Sequence, residues 1–124
     1  MKVLIDSDVL IEVSRGRNHE ILAKWTGLGD SGVTIIYTPV TEAELWAGAG
    51  TIEYDALNEL FRALLCAPID CEVGRQAGEY LREYRNSHGL QLGDALIAAA
   101  ALSHGARLWT RNRKHYPMKD LVLY

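Results

Sequence analysis

From Ala95 to Leu102 the chain is apolar without interruption. A helix over this stretch, opened at Gly93-Asp94 and stopped at Gly105, has no polar side to turn to water, so both of its faces must be covered. The run is far short of the roughly 20 residues that span a bilayer, so the cover has to come from the rest of the chain. Short apolar stretches are available for it. Val3-Leu4-Ile5 ends at an acid and reads as a buried strand, Val33 to Tyr37 is β-branched and aromatic, and Ala106 to Thr110 makes another strand. Ala67 to Ile69 is a minimal strand between these, and Leu121 to Leu123 is a candidate last one.

Helical periods fill the intervals. Val9, Leu10 and Val13 mark a helix that stops near Arg15-Gly16, and Ile21, Leu22, Trp25 and Leu28 share one face of a second, closed by Gly27, Gly29 and Gly32. Thr38-Pro39 reads as an N-cap followed by proline at the first helical position, with a short helix over 40–48. Tyr54, Leu57, Leu60, Phe61, Leu64 and Leu65 carry a strong helical period. Val73, Ala77, Tyr80, Leu81 and Tyr84 carry another, up to Gly89. Strands alternating with helices predict an α/β fold, a mostly parallel sheet with helices on both faces. Ligands of such folds bind beyond the carboxyl ends of the strands. With no repeat, low-complexity segment or linker, residues 1–124 read as a single domain.

Composition narrows the class. At 48% hydrophobic and 23% charged residues the chain is no disordered segment. Cys66 and Cys71 are too few for a disulfide scaffold and lack the partners of a zinc site. The opening MKVLIDSDVL has no long apolar core and is not a signal peptide. A cytoplasmic protein with no membrane partner is expected. Thirteen Lys+Arg against sixteen Asp+Glu leave a net charge of −3, which weighs against nucleic acid, since domains that neutralise many phosphates are usually basic. The excess is small, and the position of the acids matters more than their number.

Asp6 follows the first strand directly, where ligands are favoured, although an N-cap explains it equally. Asp8 is assigned the capping. Glu42 and Glu44 lie roughly 200° apart on one helix and cannot both face one site. Glu44 shares a face with Gly48, which leaves space beside the carboxylate, so Glu44 is taken as functional and Glu42 as a solvated acid. A capping box at Thr41-x-x-Glu44 is disfavoured by the helix start at Thr38-Pro39. Asp94 opens the apolar helix, where the dipole alone accounts for an acid; its functional reading rests on the company of Asp6 at the same end of the sheet.

Beyond the fourth strand stand Thr110 and Asn112, turn residues or polar ligands. From Arg107 to Lys119 there are five basic residues (Arg107, Arg111, Arg113, Lys114 and Lys119) and no acid. Interleaved with Trp109 and Tyr116, they suit phosphate contact and base stacking, or simply a solvated face. Carboxylates gathered from distant parts of a chain repel, and a hard Mg²⁺ or Mn²⁺ ion offsets that repulsion. Such an ion activates water and stabilises the leaving oxygen of a phosphodiester. Acids with a basic rim make the arrangement of a metal-dependent nuclease. Once Asp6, Glu44 and Asp94 are neutralised by a cation, thirteen acids remain against thirteen bases, and the charge no longer argues against nucleic acid.

Four segments resemble a known family in its order and near its spacing. They are Val3-Leu4-Ile5-Asp6-Ser7-Asp8-Val9-Leu10-Ile11, Glu44-Leu45-Trp46-Ala47-Gly48, Gly93-Asp94 with Ala95 to Ala101, and Trp109-Thr110-Arg111-Asn112. The family is the PIN domain, in the short form of VapC-type toxins. The resemblance implies an α/β/α sandwich with a parallel five-stranded sheet, a Mg²⁺- or Mn²⁺-dependent ribonuclease, a homodimer, and an antitoxin that wraps the site. Carried over position by position, it makes Asp6, Glu44 and Asp94 the acidic metal ligands, with Asn112 beside the metal-bound water. Arg111, Arg113 and Lys114 would grip phosphate. Many members carry a fourth acid three residues after that asparagine; here it is His115, which favours one ion over two.

Two other classes fit parts of the pattern. Asp6-Ser7-Asp8 resembles the nucleophile and acid of haloacid-dehalogenase-like phosphohydrolases, but Lys114 is the only suitably late lysine and the chain is short for that family. A phosphoacceptor receiver needs an aspartate closing a central strand, such as Asp70, and a lysine closing a late one, where this chain has Arg111. A non-catalytic α/β binding module would keep the fold and lose the acids, and Asp6, Glu44 and Asp94 together disfavour it.

Overall fold

The computed structural model describes residues 1–124. Its sheet holds four parallel strands: β1 (Lys2–Ile5), β2 (Thr34–Tyr37), β3 (Leu65–Cys66) and β4 (Arg107–Trp109), in the order β3-β2-β1-β4. Six α-helices surround it: α1 (Ser7–Arg15), α2 (His19–Asp30), α3 (Pro39–Gly48), α4 (Tyr54–Arg62), α5 (Cys71–His88) and α6 (Leu92–Ser103).

The central strand explains the two layers. Val3, Leu4 and Ile5 are all fully buried, and successive side chains of a strand point to opposite faces. Leu4 joins Ile36, Leu108 and the apolar residues of α5 and α6 on one face. Val3 and Ile5 join Tyr37, Trp109 and the apolar residues of α1 to α4 on the other. Helix α6 is covered as its composition requires: Ala95, Ile97 and Ala98 to Ala101 are buried, and its alanines take up little room. Left-handed glycines, Gly16 and Gly89, close α1 and α5, where a side chain would be strained.

Three expectations need correction. The fifth strand is reduced to one parallel bridge: Leu108 N–H donates to Val122 O at 2.9 Å and Tyr124 N–H to Leu108 O at 2.8 Å. Strand β3 lies earlier than Ala67–Ile69. Ala67 still donates to Tyr37 O at 2.7 Å, but Pro68 has no N–H to extend the ladder. Gly27 and Gly29 lie inside α2, which runs to Asp30, so composition misplaced its stop.

This architecture sets the site. Strands β1, β2 and β4 end side by side, delivering Asp6, Thr38 and Thr110, while the first turn of α6 brings Asp94.

Candidate active site

Asp6 is held from several sides. Its backbone N–H donates to Trp109 O at 2.9 Å, tying it to β4. As the N-cap of α1 it accepts Ser7 N–H on Oδ1 at 2.8 Å. Its Oδ2 accepts the Thr110 hydroxyl at 2.8 Å and the Tyr116 hydroxyl at 2.9 Å. Tyr116 also reaches Asp94 Oδ1 at 3.4 Å, so one phenol joins the two acids. The capping and functional readings of Asp6 are therefore compatible: capping occupies one oxygen and leaves the carboxylate in the site.

Electrostatics oppose this cluster. Burial, with Asp6 only 6% exposed, pushes its pKa up, and the Asp94 charge adds to that, against the hydrogen bonds from Thr110, Tyr116 and Ser7. Asp8 is pushed up to about 6, mainly by burial and then by the charge of Asp6. Burial and the neighbouring carboxylates likewise raise Tyr116 and keep its proton in place. A concentration of negative charge held in a poorly solvated space calls for a cation.

The capping role given to Asp8 is corrected. Its carboxylate accepts Arg111 N–H at 3.1 and 3.3 Å, so it ties α1 to the loop after β4. Glu44 is exposed on α3; Ser7 Oγ donates to its Oε1 at 2.9 Å and lies 3.0 Å from Thr41 Oγ1. Glu42 is not a solvated acid. It is half-buried and accepts the Tyr37 hydroxyl and the Trp46 indole N–H, each at 3.1 Å. The face of α3 opposite Glu44 looks onto other side chains, not water.

Around the rim, Asn112 is exposed, and its backbone N–H donates to Thr110 Oγ1 at 3.0 Å. His115 Nδ1 stands 3.8 Å from Asp94 Oδ2. Arg111 is engaged by Glu12 at 3.2 Å, Arg113 donates to Tyr124 O at 3.4 Å, and Lys114 is exposed. The stacking expected of Trp109 and Tyr116 is excluded, because each is only 4% exposed. Trp109 belongs to the core beneath the sheet, and Tyr116 belongs to the acids.

The residues suit a hard ion by donor chemistry, all carboxylate oxygens with waters to complete the shell. No three His, Cys, Asp or Glu side chains are closed up tightly enough to enclose one. The structure joins Asp6 and Asp94 through the Tyr116 hydroxyl, while Glu44 is held by Ser7 with its Oε1 beside Gly93, the residue before Asp94. That agrees with Mg²⁺ chemistry, in which one or two carboxylates bind directly and water fills the rest.

Ser7, Thr41 and the Tyr116 hydroxyl are the participants that residue types alone had not marked. Ser7 stood between two acids, which is a usable signal; Tyr116 had none.

A PIN domain family model matches residues 3–121. The chain belongs to the PIN-domain family. Among its relatives, Ribonuclease VapC10 of Mycobacterium tuberculosis is 36% identical over 118 residues, covering 94% of this chain and 86% of that protein. Ribonuclease VapC19 of the same organism is 34% identical, covering 93% and 92%. These matches place the chain in the VapC branch of the PIN family. Solved structures agree in fold. VapBC2 from Rickettsia felis, bound to a DNA fragment from its promoter, superposes with a TM-score of 0.83 at 21% identity, covering 100% of this chain and 98% of that one. FitAcB from Neisseria gonorrhoeae gives 0.72 at 24% identity, with 98% and 96% covered. The PIN sheet order β3-β2-β1-β4 also differs from the flavodoxin-like 2-1-3-4-5 order of receivers, which removes that alternative.

Proposed function

We propose that this PIN domain is a metal-dependent endoribonuclease, the toxin of a type II toxin–antitoxin pair. The observation that carries the reading is the pairing of buried Asp6 with Asp94 at the strand ends through one tyrosine hydroxyl. The names of the relatives, both ribonucleases, supply the substrate class.

Asp6 and Asp94 would hold Mg²⁺ or Mn²⁺, with Glu44 reaching it directly or through a water. Bound there, the ion would supply Lewis acidity and an activated water. The chain's own residues do the rest. Ser7 holds the Glu44 carboxylate in place. Asn112, exposed beside Thr110, would orient the attacking water, and His115 lies 3.8 Å from Asp94 Oδ2. Arg111, Arg113 and Lys114 contact phosphates flanking the scissile bond. Arg111 must leave Glu12 to do so, or act while paired with it.

The partners follow the same reading: RNA as substrate, a cognate antitoxin as inhibitor, and a second copy of the chain. Complexes such as VapBC2 support the antitoxin. For the homodimer, the helical period expected over 54–65 ends at Arg62, with Leu65 in β3 instead, and the apolar residues around α4 are only partly used inside one subunit. Leu57 and Phe61 are buried, while Ile52, Tyr54 and Leu65 remain exposed. No helix is long and apolar enough to cross a membrane, and a cytoplasmic site of action fits an RNA substrate.

The test is incubation of the purified chain with a panel of structured and unstructured RNAs, with Mg²⁺, with Mn²⁺ and with EDTA, beside Asp6→Ala. Cleavage that needs the ion and disappears in the variant is expected. Cleavage of equal rate in both proteins, or persisting in EDTA, overturns the proposal.

A further inference from the structure

The hydrogen bonds around the paired acids divide their oxygens unequally. Asp6 Oδ2 accepts two donors, Thr110 Oγ1 at 2.8 Å and Tyr116 OH at 2.9 Å, which take up its two lone pairs. Asp6 Oδ1 accepts only Ser7 N–H and keeps a lone pair. The same phenol lies 3.4 Å from Asp94 Oδ1, while Asp94 Oδ2 faces His115. Tyr116 is 4% exposed, so it cannot touch RNA, and neither stacking nor phosphate binding accounts for its hydroxyl.

We propose that Tyr116 is a positioning residue of the metal site: its hydroxyl clamps Asp6 to Asp94 and leaves Asp6 Oδ1 and Asp94 Oδ2 as the oxygens free to coordinate. The proposal rests on the reading of these acids as metal ligands. Two carboxylates with like charge, one near the start of α1 and one in the first turn of α6, repel when no cation is present. The one hydroxyl proton between them, given to Asp6 Oδ2 at 2.9 Å with Asp94 Oδ1 as the weaker second acceptor at 3.4 Å, offsets part of that repulsion, so the site is oriented before the ion arrives. Partners that orient a metal ligand in this way are typically worth about 10- to 100-fold in metal affinity.

Tyr116→Phe removes the hydroxyl and keeps the ring. Tyr80→Phe is the matched control, because Tyr80 is also 4% exposed and donates to Asp120 Oδ1 at 2.9 Å, outside the site. Mn²⁺ binding to the full chain, read by electron paramagnetic resonance of the free ion, should weaken about 10-fold or more in Tyr116→Phe and stay unchanged in Tyr80→Phe. In the wild type, the ¹³Cζ resonance of Tyr116 should move on titration with Mg²⁺ while that of Tyr80 does not, which tests the clamp even if the variant fails to fold. Unchanged or tighter Mn²⁺ binding by folded Tyr116→Phe overturns the clamp alone. Equal weakening in both variants, or a Tyr116 resonance indifferent to Mg²⁺, does the same. A wild type that binds no Mn²⁺ overturns the metal reading and the clamp with it.

Discussion

Asp6 and Asp8 carry like charges into a space that solvates them poorly, and this has a direct thermodynamic consequence. The folded-state pKa of Asp8 is raised to about 6 from 3.8, and that of Asp6 is raised as well. The folded chain therefore binds protons more readily than the unfolded one. These groups add stability as pH falls through about 6 towards about 4, and remove it as pH rises through the same window. In EDTA, thermal melts should show that slope. Asp8→Asn keeps an acceptor for Arg111 N–H while removing the charge. It should flatten the slope and stabilise the metal-free protein at neutral pH by about 1 kcal/mol, an amount discounted for solvent screening. A slope unchanged in the variant would show that Asp8 is not its source. Glu42 and Glu44 make a second contrast on one helix. Glu42→Ala strands the Tyr37 hydroxyl and the Trp46 N–H, and should cost about 1–3 kcal/mol in urea unfolding while sparing RNA cleavage. Glu44→Ala should do the reverse. Helical geometry puts these two acids on different faces and sets Trp46 one turn beyond Glu42, but it could not say that this face meets Tyr37 of β2.

Helix α6 is the element on which fold and site depend together. Its alanines leave room for α5 and the sheet, and its first turn carries Asp94. Ala98→Leu inserts three carbons where no exposed surface remains, so overpacking should cost about 1–3 kcal/mol. Because the strain must be relieved by moving the helix, RNA cleavage should fall more than the loss of folded protein accounts for. Activity per folded molecule, with the folded fraction taken from circular dichroism, checks this; unchanged specific activity would mean the helix absorbs the change without moving Asp94. Elements with long, regular apolar patterns were legible in advance, as α4, α5 and α6 show. Short strands were legible in kind but not in register. Strand β3 is placed by backbone pairing with Tyr37 and by the missing N–H of Pro68, and two residues of sequence carry little pattern to read.

The net charge of the whole molecule is −3, so its grip on RNA has to be local. If Arg111, Arg113 and Lys114 each neutralise one phosphate, the logarithm of affinity should fall against the logarithm of salt with a slope of about −2 for a single strand. Fluorescence anisotropy with a labelled RNA and Asp6→Ala, chosen to prevent cleavage, measures it. A slope steeper than about −4 would point to a wider basic surface than the loop after β4. The ion should also stabilise the whole fold by mass action: Mn²⁺ at about 100 times its dissociation constant should add about 2.7 kcal/mol to unfolding, and Asp6→Ala should abolish that increment.

The apolar run of Ala95 to Leu102 shows where sequence reading ends for this protein. By itself the sequence determined that α6 is covered on both sides, that short strands alternate with helices in an α/β order, and that Asp6 stands at a strand end and Asp94 at a helix start. Those properties are local, set by periodicity and by the alternation of side chains along a strand. Only the tertiary structure decided that Tyr116 lies between the two acids, that Asp8 pins the β4 loop, that Glu42 is structural, and that Trp109 is core instead of stacking surface. Apart from Glu42, whose partners Tyr37 and Trp46 lie five and four residues away, each of these depends on contacts between residues far apart in the chain, Asp6 with Tyr116 above all. A hydroxyl's partner is chosen by the packing of two layers around a sheet, and no spacing along the sequence encodes it.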